Sequence, residues 1–316
     1  MATAEELRTE YSPQVAAEFK WLCQSARKPA TRSIREFAEG EIVIPDDRHD
    51  GDPLRIRVQP YVGLLYAEID SGHWNDFVIT GPSQSGKTLC GFVIPTLWHL
   101  FEHRETVIVG LPDADMSGDK WAIDLKPVIL KTRYASLLPD TGPGSRGGTK
   151  VDTIFFTNGA VLKFMTGGGG DKSRAGFTSR VLVVTETDGI DEAGEASREA
   201  DKIAQLQGRQ RSYPIHQRRT VKECTVSVER GRTWREYKHD SSTSRIVHPC
   251  PHCEAWVTPE REHLHGWQDA RTQLEAMELA HFRCPACGQK ISDAQQITMN
   301  QDAKLIHRGQ SIDKAG

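Results

Sequence analysis

The sequence predicts an α/β fold in which a mainly parallel sheet is flanked by helices and followed by a small C-terminal zinc-binding module. Three observations predict it. A glycine-bounded loop, "GPSQSGKT" (81–88), sits between an apolar run and a helically spaced one. Further apolar runs of strand length alternate with helix-length segments, as they do in α/β proteins. Two Cys-x-x-Cys pairs, "CPHC" and "CPAC", follow that alternation.

The 316 residues suit one large domain with a small one, or two of ordinary size. A 37% hydrophobic content is enough for a core, and 26% charged is ordinary. No apolar run reaches the ~18 residues of a membrane span. The opening "MATAEELRTEYS" is acidic and polar where a secretory signal would be basic and then apolar, so the chain reads as cytoplasmic with no membrane partner. A net charge of −3 gives no global sign of nucleic-acid binding. Locally, Glu186 to Asp201 is acidic and reads as a solvated face, while Arg209 to Lys238 is rich in Lys and Arg. That basic segment is a candidate track for a phosphate backbone.

The first 49 residues read as a polar arm with one helix, "SPQVAAEFKWLCQSA". "DFVIT" is a buried strand leading into the loop. Gly81, Pro82, Ser83, Gln84, Ser85, Gly86, Lys87 and Thr88 fit G-x-x-x-x-G-K-[ST], the phosphate-binding loop, with the glycines turning backbone N–H groups toward an anion. Lys87 is expected on the β- and γ-phosphates of ATP and Thr88 on Mg²⁺. Leu89, Phe92, Val93, Leu97, Leu100 and Phe101 follow at helical spacing, with Pro95 predicting a kink near Gly91. "TVIVGLP" is a strand, followed by helix to about Leu138. "TIFFTNGAVLKFMT" is two β-runs joined at Asn158-Gly159, a hairpin signal, and Gly167 to Gly170 form a loop. "RVLVVTETDG" is an apolar strand emerging into acids, the kind that carries carboxylates in ATPases. Helix to about Gln210 and a last strand, "ECTVSV", complete a P-loop NTPase core of RecA/ASCE-like type over 50–245.

Cys250, Cys253, Cys284 and Cys287 form the two knuckles of the remaining module, 246–316. Two thiolates two residues apart grip one metal, and two such turns close a tetrahedral Zn²⁺ shell. The insert between the knuckles is longer than the ~15–20 residues typical of the pattern, and "WQDARTQLEAMELAHF" within it reads as a helix. A disulfide framework is the competing reading, disfavoured in a cytoplasmic chain. His248, His252 and His281 are alternative ligands or surface residues. Cys23, Cys90 and Cys224 need be only small apolar side chains.

Taken in order, "VQPY", the 81–88 loop, the NG hairpin, "SRAGFTSRVLVVTETD", "TVSVERG" and "PCPHC" resemble the large terminase subunit of tailed phages, lambda type. The resemblance runs from "SIREFAEGEIVIPDD" (33–47) to the C-terminus. It implies an ATP-driven motor in the host cytoplasm that translocates double-stranded DNA into a procapsid. The implied partners are a small terminase subunit and a portal on which a homo-oligomeric ring docks. It implies that Gln59 and Tyr61 contact adenine; alternatively they are a surface polar residue and a core aromatic. The family's Asp-Glu pair aligns with Thr185-Glu186, so Glu186 inherits the water-activating role. Thr185 departs from the pattern, because a hydroxyl offers Mg²⁺ no negative charge. Asp188 is the candidate to compensate; otherwise Mg²⁺ binds weakly or turnover is low. Thr225 and Ser227 are candidate γ-phosphate sensors or else solvent-facing strand polars. Arg174 is a candidate arginine finger, in cis or in trans, or a plain surface residue. The family's nuclease domain has no counterpart after Cys287, so no DNA cleavage is expected of this chain. A zinc-ribbon helicase or translocase, a small-molecule P-loop kinase and a nucleotide-binding assembly factor with little turnover remain as alternatives.

Overall fold

The computed structural model describes residues 12–25, 30–44, 51–145, 151–166, 177–192 and 201–312. The chain divides into two units, 1–32 and 33–316. The first contains the helix expected in the arm, α1 (Pro13–Ser25), with Phe19, Trp21 and Leu22 exposed.

The second unit begins with α2 (Ile34–Glu41), whose capping box pairs the Ser33 hydroxyl with the Glu36 amide while Glu36 reaches back to Ser33. Ile34, Phe37 and Ala38 are fully buried in the main core, although the sequence placed them in the polar arm. The Asp70 carboxylate, near the end of α3 (Pro60–Ser71), accepts from the Ile34 amide at 2.9 Å and ties the two helices together.

Six strands make the central sheet: β1 (Asp76–Ile79), β2 (Val107–Leu111), β3 (Thr153–Phe155), β4 (Val161–Thr166), β5 (Val181–Thr185) and β6 (Arg219–Glu223). Their spatial order is β1-β6-β5-β2-β4-β3, and every pairing is parallel except the edge hairpin β3–β4. β2 and β5 are buried at every position, as parallel strands covered on both faces must be. The expected hairpin forms with a wider loop than two residues. Phe156 N–H donates to Ala160 C=O at 2.9 Å, and the Asn158 side chain accepts from the Ala160 amide.

The last strand differs from expectation. "ECTVSV" was to form it, yet β6 is Arg219–Glu223 and stops where that run begins. The strand carries a lysine and a glutamate at buried positions, so its hydrophobic pattern is masked: Lys222 is held by Asp76 at 2.9 Å and Glu236 at 2.6 Å. The same pairing accounts for part of the basic segment, where Arg219 is bound to Asn75 and Arg232 to Glu236 and Asp201.

Helix α4 (88–102) follows β1 and is buried on all sides from Cys90 to Phe101, with Thr96 and His99 the polar residues of that stretch. Pro95 does not end it. The turns over Thr88–Val93 and Trp98–Glu102 widen to i→i+5 spacing, and Thr96 Oγ1 donates to the Phe92 carbonyl at 2.7 Å. Helix α5 (116–130) packs against α4, with Trp121 and Leu125 buried. Short helices α6 (Thr187–Glu192) and α7 (Lys202–Gln207) follow β5, and α8 (232–240) follows β6.

The remaining residues form two three-stranded sheets. One is β12-β7-β8, from β7 (Arg245–Pro249), β8 (Trp256–Val257) and β12 (Lys304–Ile306). The other is β11-β10-β9, from β9 (Leu264–His265), β10 (His281–Arg283) and β11 (Lys290–Ile291). The insert expected as one long helix contains the seven-residue α9 (Gln273–Leu279), started by the Thr272 cap, and then returns to strand at β10. Helix α10 (Asp293–Gln301) packs against α3, where His307 also lies 3.6 Å from Glu68 and edge-on to Trp74.

Candidate functional site

Parallel pairing brings three strand ends abreast. Ile79 of β1 and Thr185 of β5 both register with Glu223 of β6. Ligands of parallel α/β sheets lie beyond such carboxyl ends, and here the 81–88 loop leaves β1 and enters α4 at that edge.

Within the loop, Gln84 and Gly86 have positive φ, +58° and +81°. The Pro82 carbonyl accepts from Ser85 Oγ at 2.9 Å and from Lys87 Nζ at 2.6 Å. Lys87 is 6% exposed, and among the described residues no carboxylate lies within ion-pair distance of it. Gly81 and Thr88 are half-buried, whereas Pro82, Ser83 and Gln84 are exposed.

Gln59 and Tyr61 are both brought to the loop. A Cβ on Gly86 would stand 3.1 Å from Gln59 Oε1, and the φ of +81° there is one that residues with side chains rarely adopt. The Tyr61 hydroxyl donates to the Ser85 carbonyl. Burial, reinforced by Cys90 and opposed by the Ser85 bond, pushes the Tyr61 phenol up to about 12, so it remains a donor. A cleft of about 1290 Å³ runs from Tyr61, Gly81, Pro82, Ser85 and Lys87 along the β1 edge toward β7.

Beyond β5, Glu186 takes a left-handed φ of +55°, a strained conformation for a residue with a side chain. Its carboxylate, 46% exposed, lies 3.8 Å from Lys120 of α5. Asp188 is 4% exposed, and both its oxygens are engaged: Oδ1 accepts from the Thr233 amide at 2.8 Å and Oδ2 from the Ser227 amide at 3.3 Å. It thereby fixes the 225–233 segment, which contains Thr225 and Ser227, against the sheet edge. Arg174 lies outside the described residues, as do the 167–170 loop and the 193–200 part of the acidic run.

Two residues in this group escaped sequence reasoning. Lys120 belongs to a helix with no motif. Glu223 was assigned to a strand running past it, whereas it ends β6 and accepts from Thr185 Oγ1 at 3.1 Å. Glu223 is 3% exposed. Burial lifts its carboxyl above the ordinary range, the Thr185 bond opposes this, and the Glu186 carboxylate adds to the lift. The only available signal was an acid at the start of "ECTVSV", which local patterning cannot distinguish from a surface residue.

The four knuckle cysteines converge, with all sulfurs within 4.8 Å of one another. Cys250 lies 3.9 Å from Cys287, and Cys253 lies 3.9 Å from Cys284. Sulfurs around one tetrahedral Zn²⁺ would sit ~3.8 Å apart, given Zn–S bonds of ~2.3 Å. The set therefore fits a structural ion. Amides of His252 and Ala286 point at the Cys250 and Cys284 sulfurs. Burial lifts Cys250, but the His252 and Cys253 amides outweigh it and hold this thiol down at about 7. Burial, with the neighbouring Cys250 and Cys287 adding to it, pushes Cys284 up to about 12. Four adjacent thiols cannot all ionise without a cation among them. His248, His252 and His281 turn instead to the carbonyls of Met299, Lys290 and Leu279, so among the described residues the ligand set is cysteine alone.

A family model described as the phage terminase large subunit gpA, ATPase domain, matches residues 51–304. A search of curated proteins returned no match. Among solved structures, the large terminase of bacteriophage HK97 is similar at 15% identity with a TM-score of 0.45, over 63% of this chain. This chain spans 38% of that one. Among the described residues, no helix is long and apolar enough to cross a membrane.

Proposed function

Because the chain belongs to the family of the phage terminase large subunit gpA ATPase domain, we propose that it is the P-loop motor portion of a packaging enzyme, hydrolysing ATP to drive double-stranded DNA into a procapsid. The observation that carries this reading is Lys87. Its ammonium is buried at the carboxyl edge of a parallel sheet, bonded to a carbonyl and free of any paired acid among the described residues. A buried, unpaired charge is costly, and the polyphosphate of ATP in the 81–88 loop would supply the missing anion. β6, inserted between the loop strand β1 and the acidic strand β5, is also the strand order expected of a RecA/ASCE-like core.

In this reading the loop amides and Lys87 bind the β- and γ-phosphates, and Gln59 and Tyr61 brace the loop beside the adenine end of the cleft. Glu186 accepts a proton from water as that water attacks the γ-phosphorus and the bond to the β-phosphate oxygen breaks. The hydroxyl and carboxylate oxygens of Thr88, Thr185 and Glu223 are the hard donors that suit Mg²⁺. When bound, that ion would neutralise phosphate charge. Arg174 remains the candidate arginine finger, and Asp188 couples the strand end to Thr225 and Ser227. The core spans 50–245, and a zinc module over 246–316 is held by Cys250, Cys253, Cys284 and Cys287. DNA phosphates meet the exposed part of the 209–238 segment, and a small subunit and portal complete the machine.

The test is steady-state ATP hydrolysis by the zinc-loaded chain, with and without duplex DNA, beside Lys87→Ala and Glu186→Ala. DNA-stimulated turnover that both substitutions abolish supports the motor. Equal, residual rates in all three proteins would overturn it. Thr185 at the position of the family's Asp favours one other reading, an assembly factor that binds nucleotide without much turnover. Tight ATP binding with no hydrolysis would select that one.

A further inference from the structure

Thr185 leaves the end of β5 without the acid that the resemblance leads one to expect, and the tertiary structure sets another acid beside it. Thr185 and Glu223 are register partners on adjacent parallel strands, so their side chains leave the same face of the sheet. The Thr185 hydroxyl donates to Glu223 Oε2 at 3.1 Å. Among the described residues it is the only side-chain donor to that carboxylate, and no lysine or arginine lies within ion-pair distance. Glu223 is nevertheless within electrostatic reach of Lys87, Lys120 and Glu186, the charged residues of the nucleotide site. Space for it is made by Gly91 of α4, where a Cβ would stand 3.3 Å from Glu223 Cγ. Asp188 is not available for the role, because its two oxygens hold the Ser227 and Thr233 amides.

We infer that the negative charge facing the divalent cation of this nucleotide site is supplied by Glu223 from β6, with Thr185 orienting it, in place of an acid at the end of β5. The inference rests on the nucleotide-site reading given above. A carboxylate this deeply buried with one neutral hydrogen bond is unfavourable alone. A dication beside it turns that cost into binding energy. The charge has moved one strand across while staying level along the sheet edge, because the register keeps residues 185 and 223 opposite each other.

The test is Mn²⁺ uptake, followed by electron paramagnetic resonance, in the zinc-loaded full chain saturated with a non-hydrolysable ATP analogue. Analogue affinity in EDTA is measured in parallel. Glu223→Gln should weaken Mn²⁺ affinity by about tenfold or more and should not weaken metal-free analogue affinity, since the carboxylate it removes repels phosphate. Adding Thr185→Asp to Glu223→Gln should recover most of the loss, since the charge is restored opposite its original place. Wild-type Mn²⁺ affinity in Glu223→Gln overturns the inference, as does a loss that Thr185→Asp fails to repair. A wild-type chain that binds neither analogue nor Mn²⁺ overturns the nucleotide-site reading as well, so the two failures are distinct. Melting curves on every variant separate a metal effect from misfolding.

Discussion

Lys222, in the interior of a parallel sheet, is clamped between the carboxylates of Asp76 and Glu236 at 2.9 and 2.6 Å. Burial works against the ammonium, and the two acids overcome it and hold the lysine above its ordinary range. Burial lifts Asp76 as well, against the pull of Lys222. We assign the stabilisation to the lysine side, because the Asp76 side chain remains 44% exposed while that of Lys222 is 7% exposed. Among the described residues, removing the cation leaves Asp76 with only the Gln207 side chain and Glu236 with only Arg232. Lys222→Met should therefore lower unfolding stability by about 3 kcal/mol or more, read from urea melts. Unchanged stability would show that the clamp is not formed in solution.

Lys87 and Glu186 should fail differently as catalysts. If Lys87 binds phosphate as proposed, Lys87→Ala should collapse both ATP affinity and turnover. If Glu186 is the base as proposed, Glu186→Gln should lower kcat by roughly 10²–10⁴ while analogue binding persists. Parallel loss of binding in both variants would assign Glu186 a structural role.

The cysteine module should contain one zinc per chain by metal analysis, with the thiols protected from alkylation. Cys284→Ser, or prolonged chelation, should release the metal and unfold the β7–β12 region, visible as new protease sites between 250 and 290. Because His307 and α10 lie against α3, the melting temperature of the whole chain should also fall. A metal-free preparation with intact thiol protection would remove the zinc assignment.

The opposite edge of the sheet carries an acid-sensitive lock. Glu105 receives Arg180 at 2.7 and 2.9 Å and faces His99 at 2.9 Å. Burial pushes its carboxyl upward, but His99 and Arg180 outweigh this and bring it down to about 2, from 4.5. A depressed carboxyl stabilises the fold fully above its unfolded value. That contribution is lost as pH falls from 4.5 toward about 2. Arg180→Gln should therefore raise the midpoint of acid unfolding and cost about 1.5–3 kcal/mol at neutral pH. An unshifted acid limb would contradict the lock.

DNA binding, where it occurs, should depend on only part of the basic segment. Arg211 and Arg230 are exposed, whereas Lys222 and Arg232 are committed to internal pairs. Arg211→Ala and Arg230→Ala should each weaken duplex binding and reduce the slope of log K against log salt by about 0.9. Equal slopes in wild type and variants would place the DNA track elsewhere.

Much of this molecule was legible before folding. The 81–88 loop, the strand and helix around it, β5 ending at Thr185, and the paired knuckles are each written in a few neighbouring residues. Turn chemistry and hydrophobic period reach no further than that. α2 escaped because it is short and its polar residues face solvent while Ile34, Phe37 and Ala38 enter the core. β6 escaped because its charged side chains are held by partners distant in sequence: Lys222 by the Asp76 carboxylate, and Arg219 by the Asn75 amide oxygen 144 positions away. By itself the sequence determined the glycine-bounded turn at 81–88 and the two Cys-x-x-Cys turns, since each is a matter of spacing along the backbone, whereas the four sulfurs meet across 31 and 37 positions. Only the tertiary structure brings the buried Glu223 beside Thr185. Thr185 and Glu223 stand 38 residues apart and meet solely because parallel strand pairing fixes their register.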